Sequence, residues 1–98
     1  MRIISERKLR EVWQQRPQAE NALREWIKTV RLADWSNFSE VRKTFNHVDI
    51  YGGCVIFDVG GNKYRIIGKI AYKFQIVYIR FVLTHRQYDE KKWQSDCK

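Results

Sequence analysis

The first half of the chain repeats its apolar residues at helical spacing, and the second half alternates them as strands do. Leu9, Val12 and Trp13 share one face of a first predicted helix, which Pro17 ends. A second predicted helix follows at once, with an apolar stripe made of Ala19, Ala22, Leu23, Trp26, Ile27 and Val30. Two such helices in a chain with strands to follow are expected to pack on a sheet.

Shorter signals surround these helices. The apolar stretch Arg2–Ile4 predicts an edge strand, and Ser5 is predicted to cap the first helix. Ser39 is predicted to cap a short helical turn after the second helix. Residues 48–50 then predict a short strand, where the period changes from helical to alternating.

Three longer strands are predicted after this change of period. They cover Cys54–Val59, residues 63–72 and a stretch that begins at Ile76, with Gly60 and Gly61 in the tight turn between the first two. Strands linked by such short turns form an antiparallel meander. The expected fold is therefore α+β, a single domain over residues 1–98 in which two N-terminal helices pack on a small, mostly antiparallel sheet and a short helix ends the chain.

The last two strands carry unusual charges. The final strand is predicted to place Val77, Ile79, Phe81 and Leu83 on one face and Ile76, Tyr78, Arg80 and Val82 on the other. Arg80 is the one charged residue in this apolar strand, so it needs a partner or a function. The preceding strand alternates Lys63, Arg65 and Lys69 on one side. We expect these cations to form a basic face opposite the helices.

Composition supports a polyanionic partner. The chain has 98 residues and a formal net charge of +8, a balance typical of proteins that bind nucleic acid, an acidic protein or an anionic surface. It contains no apolar run long enough to span a membrane, and its N-terminus lacks the apolar stretch of a signal peptide, so we expect a cytoplasmic protein. Cys54 and Cys97 are far apart and are predicted to be reduced thiols.

The candidate chemistry comes from arginine, lysine, histidine and tyrosine. His85 and Tyr88 follow the last strand and share one face if that segment is helical. No paired metal-ligand spacing and no phosphate-binding glycine loop is present, so no metal or other cofactor is expected. The available groups suit metal-independent RNA cleavage, in which the substrate 2′-hydroxyl attacks the phosphate. An imidazole can take either proton-transfer role in such a reaction.

Motifs over nearly the whole chain resemble the HigB family of bacterial toxins. They are Gly61-Asn62-Lys63-Tyr64-Arg65, Ile79-Arg80-Phe81, Thr84-His85 and Tyr88-Asp89, with Trp13, Pro17-Gln18-Ala19, Leu23-Arg24-Glu25-Trp26 and Ala33-Asp34-Trp35 in the N-terminal half. The resemblance implies a RelE-like fold and an endoribonuclease toxin that cleaves mRNA, typically on the translating ribosome. It also implies a cognate helix-turn-helix antitoxin, similar to HigA. The toxin itself is then expected to associate with DNA only indirectly, through this antitoxin.

The site residues of that family carry over onto particular positions here. Those implied to be catalytic are Arg65, Arg80, His85 and Tyr88, and those implied to bind RNA are Asn62, Lys63 and Lys69. Which of His85 and Tyr88 is the acid and which the base stays open. Two other functions compete with this one: a non-catalytic RNA- or DNA-binding module, and a basic scaffold that binds an acidic protein.

Overall fold

The helices and strands follow one another in nearly the predicted order. A computed structural model describes the whole chain, Met1–Lys98. The strands are β1 (Arg2–Ile4), β2 (Asp49–Tyr51), β3 (Cys54–Val59), β4 (Tyr64–Ala71) and β5 (Ile76–Thr84), and the helices are α1 (Arg7–Gln15), α2 (Glu20–Leu32), α3 (Phe38–Thr44) and α4 (His85–Asp89). Short 3₁₀ turns occupy Pro17–Ala19, Tyr72–Phe74 and Lys92–Cys97. The predicted α+β class is confirmed.

The strands form one five-stranded sheet in the order β1-β5-β4-β3-β2. Strands β2 to β5 pair antiparallel in chain order, which confirms the meander. Strand β1 lies at the edge, as predicted, and pairs with β5 in parallel. The predicted strand over residues 63–72 is one residue shorter at each end, so Lys63 lies in the turn before β4.

The main core lies between the helices and one face of the sheet. Leu9 of α1 and the α2 stripe around Leu23 and Trp26 pack on sheet residues such as Phe57 and Ile66. The Trp26 and Phe57 rings meet edge to face, with centroids 5.2 Å apart. Each fully buried apolar side chain of this kind stabilises the fold by about 1.5–3 kcal/mol, so this core holds the helices on the sheet. None of the helices combines the length and apolar character needed to cross a membrane.

Two predicted helix caps are wrong. Ser5 has a φ of 77° and stands one residue before the N-cap position of α1, which Glu6 occupies without a capping side-chain bond. Helix α3 begins one residue before Ser39, and its cap is Asn37, whose side-chain oxygen accepts from the Glu40 N–H at 3.1 Å. A side chain can cap a helix only from the residue directly before the first helical turn. If the helix starts one or two residues away from the predicted position, the predicted residue no longer occupies that place.

A β-bulge in β5 overturns the predicted alternation of that strand. Ile67 pairs with Phe81 but the next residue, Gly68, pairs with Ile79, which leaves Arg80 as the extra residue. An extra residue reverses the faces of everything beyond it. Val77 and Ile79 therefore face the helices as a pair, whereas Phe81 and Leu83 pack on the opposite face of the sheet.

That opposite face carries a second, smaller core instead of an open basic surface. Its buried members are Cys54, Ile56, Ile67, Trp93 and Cys97, and the half-buried Tyr51, Phe81, Leu83 and Tyr88 pack against them. The predicted basic face is thus reduced to cations around an apolar patch. The patch is covered by the 3₁₀ turn Lys92–Cys97, which we name the C-terminal turn.

The prediction of two reduced thiols is also wrong. Cys54 and Cys97 form a disulfide, with their Cα atoms 5.2 Å apart. The two residues are separated by 43 positions, and no local pattern could show that the C-terminal turn folds back onto the start of β3. The disulfide fastens the C-terminal turn to the sheet.

Candidate active site

The turn between β3 and β4 lies against the start of α4. Asn62 adopts a left-handed backbone with a φ of 72° in this turn. The backbone N–H of His85 donates to the carbonyl of Lys63 at 3.0 Å, just beyond the last pair of the β4–β5 ladder, Tyr64 with Thr84. The ladder therefore brings Asn62 and Lys63 next to His85, although more than twenty residues separate them in sequence.

Helix α4 begins with a capping box. The Thr84 hydroxyl accepts from the Gln87 N–H at 3.2 Å, and the Gln87 side chain accepts from the Thr84 N–H at 3.0 Å. This reciprocal pair fixes the first turn of the helix, on which His85 is exposed. Nδ1 of His85 lies 2.9 Å from a carboxylate oxygen of Asp89. Such a contact orients the imidazole and leaves its Nε2 edge for a substrate.

Tyr88 is the half-buried member of the same helix. The Arg65 guanidinium carbon lies 4.9 Å from the centroid of its ring, and the Trp93 ring stacks on it at a centroid distance of 5.1 Å. Burial raises the pKa of the Tyr88 phenol, Arg65 opposes that shift, and Asp49, Asp58 and Asp89 add to it. The phenol is therefore protonated at physiological pH, in the form that can donate a proton.

Arg65 is held firmly in place. Asp58 on β3 is the cross-strand partner of Arg65. Nε of Arg65 lies 2.7 Å from Oδ1 of Asp58, so the two side chains form an ion pair, although the geometry is not that of a hydrogen bond. Nη1 of Arg65 donates to the Asn62 carbonyl at 2.9 Å. Only 11% of the Arg65 side chain is exposed. A guanidinium restrained in this way presents a fixed positive charge beside Tyr88.

Arg80 stands apart from these residues. It precedes His85 by five positions on an extended strand, which at about 3.3 Å per residue separates their Cα atoms by roughly 13–16 Å, allowing for the bulge. Its guanidinium is bonded to Asp96 of the C-terminal turn, with Nε and Nη2 each 2.8 Å from a carboxylate oxygen. Lys69 lies near enough to Asp96 to contribute to the lowered pKa of that carboxyl, whose main cause is the bond from Arg80.

The predicted site residues thus fall into two groups. The first, the strand-end cluster, consists of Asn62, Lys63, Arg65, His85 and Tyr88. The second, the mid-strand pair, consists of Arg80 and Asp96, with Lys69 nearby. The structure does not bring Arg80 into contact with the other three residues that the resemblance implies to be catalytic.

Three residues that hold the predicted site residues in place were not predicted from the sequence. They are Asp58, which pairs with Arg65, Trp93, which stacks on Tyr88, and Asp96, which binds Arg80. The turn after Val59 pairs it with Tyr64, so Asp58 faces Arg65, and that hairpin register is a signal that could have found the ion pair. No comparable signal points to Asp96, because the bulge and the disulfide together bring it to Arg80.

The fold and the strand-end cluster define a small basic α+β protein in which side chains suited to acid–base chemistry lie close together. An imidazole, a protonated phenol and a fixed guanidinium are present together, and these are groups that move protons and stabilise phosphoryl charge. No group of three or more histidine, cysteine, aspartate or glutamate residues is arranged to hold a metal ion.

Comparison with known protein families points to the same family that the sequence motifs resemble. Residues 19–91 match the HigB toxin family, described as the RelE-like toxic component of a toxin–antitoxin system. The chain belongs to this family. Membership makes it the toxic component of such a system and implies a cognate antitoxin, and the family's RelE-like description fits the five-stranded mixed sheet with its packed helices.

Curated relatives extend over almost the full chain. The mRNA interferase toxin HigB of Escherichia coli is 26% identical over 92 residues, which are 91% of this chain and 88% of the relative. The mRNA interferase HigB of Shigella flexneri shows the same identity and coverage. A further Escherichia coli protein, also named mRNA interferase HigB, is 27% identical over 93 residues, 92% of this chain and 90% of the relative.

Proposed function

We propose that this protein is an endoribonuclease that cleaves mRNA on the translating ribosome and so inhibits translation. The curated relatives bear the name mRNA interferase, and the net charge of +8 suits an RNA substrate. The observation that carries the proposal is the strand-end cluster, in which Arg65 lies 4.9 Å from the Tyr88 ring while His85 begins the same helix.

The proposed reaction uses the substrate's own 2′-hydroxyl and no metal ion. His85 removes the proton from that hydroxyl, whose oxygen then bonds to the adjacent phosphorus. The bond from phosphorus to the 5′-oxygen breaks, and Tyr88 gives its proton to the leaving oxygen. The products are a 2′,3′-cyclic phosphate and a 5′-hydroxyl. Tyr88 is assigned the acid role because burial raises the pKa of its phenol, which therefore carries its proton at physiological pH.

Arginine supplies the charge that the reaction needs. The phosphorane carries an additional negative charge, and the fixed guanidinium of Arg65 is placed to stabilise it. Asn62, Lys63 and Lys69 bind the RNA around the site. Several residues of β5 separate Arg80 from His85. Arg80 is therefore assigned to a neighbouring phosphate of the same RNA and not to the phosphate that is cleaved.

The antitoxin is proposed to be a helix-turn-helix protein similar to HigA. It inhibits by covering the strand-end cluster or by preventing entry into the ribosome, and only the antitoxin contacts DNA. A toxin that acts on translating ribosomes works in the cytoplasm. Crosslinking the toxin–antitoxin complex would test the route of inhibition. Contacts confined to α1 and α2, in a complex that still enters ribosomes, would contradict both routes.

The deciding experiment combines purified protein, ribosomes and a defined mRNA. Discrete cuts with a 5′-hydroxyl on the downstream fragment are expected, and a 2′-deoxy residue at the cut site should block cleavage while binding persists. Chelation of magnesium is not informative, because ribosomes need the ion. A 5′-phosphate on the downstream fragment would mean attack by water and would overturn the mechanism. Absence of cuts would favour a non-catalytic RNA-binding protein or a basic scaffold.

A further inference from the structure

The carboxylate of Asp96 forms two hydrogen bonds with one edge of the Arg80 guanidinium. Nε donates to Oδ2 and Nη2 to Oδ1, both at 2.8 Å. A guanidinium has five N–H donors in a rigid plane, so this pairing leaves the Nη1 edge free. The Arg80 side chain keeps 45% of its surface exposed. A second anion can therefore bind the free edge without displacing Asp96.

Asp96 is itself placed by rigid parts of the fold. The next residue, Cys97, is disulfide-bonded to Cys54, and its carbonyl accepts from the Gly53 N–H at 2.6 Å. Trp93, at the other end of the C-terminal turn, is buried. The carboxylate is consequently held in place against the sheet, although only two residues follow Asp96 in the chain.

The surroundings of Asp96 remain positive. Arg80, Lys69 and Lys8 all act on its carboxyl and lower its pKa, and Nζ of Lys8 donates to the backbone carbonyl of Arg80 at 2.9 Å. One carboxylate thus stands among three cations. It orients Arg80 without cancelling the attraction of this region for a phosphate.

We propose that Asp96 is a positioning residue, which holds one edge of Arg80 so that the free edge meets a phosphate of the bound RNA. The proposal rests on the RNA-cleaving function proposed above. A long arginine side chain loses rotamer freedom when it binds a ligand, and a side chain already ordered by a partner loses less. Asp96 would supply that order before the RNA arrives.

Asp96→Asn is a sharp test because charge and geometry predict opposite results. Removing a negative charge beside the RNA should by itself strengthen binding. Loss of positioning should weaken it, by about three- to tenfold in the substrate concentration for half-maximal cleavage. The assay is single-turnover cleavage of mRNA on ribosomes by the full chain. Asp96→Glu, which retains a carboxylate, should recover part of the loss.

The rate at saturating substrate separates positioning from a merely structural role. Damage to the C-terminal turn would disturb Trp93 and with it the stacked Tyr88, the proposed acid, so the saturating rate would fall. Positioning leaves that rate within about twofold, since loss of ground-state binding does not change the chemical step. Ser95→Ala, in the same turn, is the matched control and should change neither quantity.

A double variant completes the test. In the Arg80→Ala background, Asp96→Asn should cause no further loss of binding, because Asp96 acts through Arg80 and only the small gain from the removed negative charge remains. Tighter binding by Asp96→Asn would identify Asp96 as a competitor of the phosphate and overturn the proposal, as would unchanged binding or an equal loss in both backgrounds. If the wild-type protein cuts no RNA, the proposed function fails, and the same variants measured by RNA affinity still decide the role of Asp96.

Discussion

The strand-end cluster and the mid-strand pair both contain an arginine beside an aspartate, but they differ in their neighbours. Arg65 is 11% exposed and lies against Tyr88, on the helix that also carries His85. Arg80 is 45% exposed, and the other charged groups that act on its partner Asp96 are two lysines, Lys69 and Lys8. Proton transfer needs a titrating group within reach. The comparison supports the proposal that the strand-end cluster carries out the chemistry and that the mid-strand pair binds RNA.

The largest effect is expected from His85→Ala or His85→Gln. Removing a general acid or base typically costs about 10²–10⁴-fold in rate, and His85 is exposed at a capped helix start, so the fold should survive. Growth inhibition on expression and cleavage in vitro both measure the loss. A His85→Ala protein as toxic as the wild type, at equal abundance, would remove the strand-end cluster from the chemistry.

Reduction of the Cys54–Cys97 disulfide should disrupt the Arg80–Asp96 ion pair before other contacts, because Asp96 is adjacent to Cys97. Closing a loop of this size stabilises a protein by about 2–4 kcal/mol, so reductant should lower the urea midpoint of the wild type. A Cys54→Ser/Cys97→Ser variant is the control and should not respond to reductant. In a reduced protein that stays folded, RNA binding should lose its dependence on Arg80. Identical midpoints with and without reductant would contradict the role of the disulfide.

Arg65→Lys sharpens the contrast between the two arginines. A point charge cannot reproduce the planar group that contacts Asp58, the Asn62 carbonyl and the Tyr88 ring. The saturating cleavage rate should fall by about 10²-fold, the cost of losing one preorganised stabilising group. Arg80→Lys should instead raise the substrate requirement and leave the saturating rate nearly intact. Equal losses of saturating rate in the two variants would abolish the distinction.

The smallest effect is expected from Lys63→Ala. Lys63 is exposed in the turn beside His85, and one lost phosphate contact should lower the salt dependence of RNA affinity by about one unit of slope. Lys73→Ala is a matched control, since Lys73 is exposed at the other end of β4. An equal change in both variants would indicate general electrostatics and not a site.

Local patterns were sufficient for most of the fold. Helical spacing located α1 and α2, and alternation with glycine turns located β3 to β5, because both signals arise within a few neighbouring residues. The same patterns were wrong at Ser5 and Ser39, where a small shift in the helix start decides which residue caps it. They were also wrong beyond Arg80, because a bulge forms between strands and not within one.

The sequence by itself determined the helices, the meander, the positive charge and the candidate catalytic residues at the end of β5. Periodicity and charge are properties of short segments, so they can be recognised before the chain folds. Only the tertiary structure decided the partners: Arg65 with Tyr88, Cys54 with Cys97 and Arg80 with Asp96. These contacts join distant parts of the chain, and their existence depends on the sheet register, the bulge and the return of the C-terminal turn.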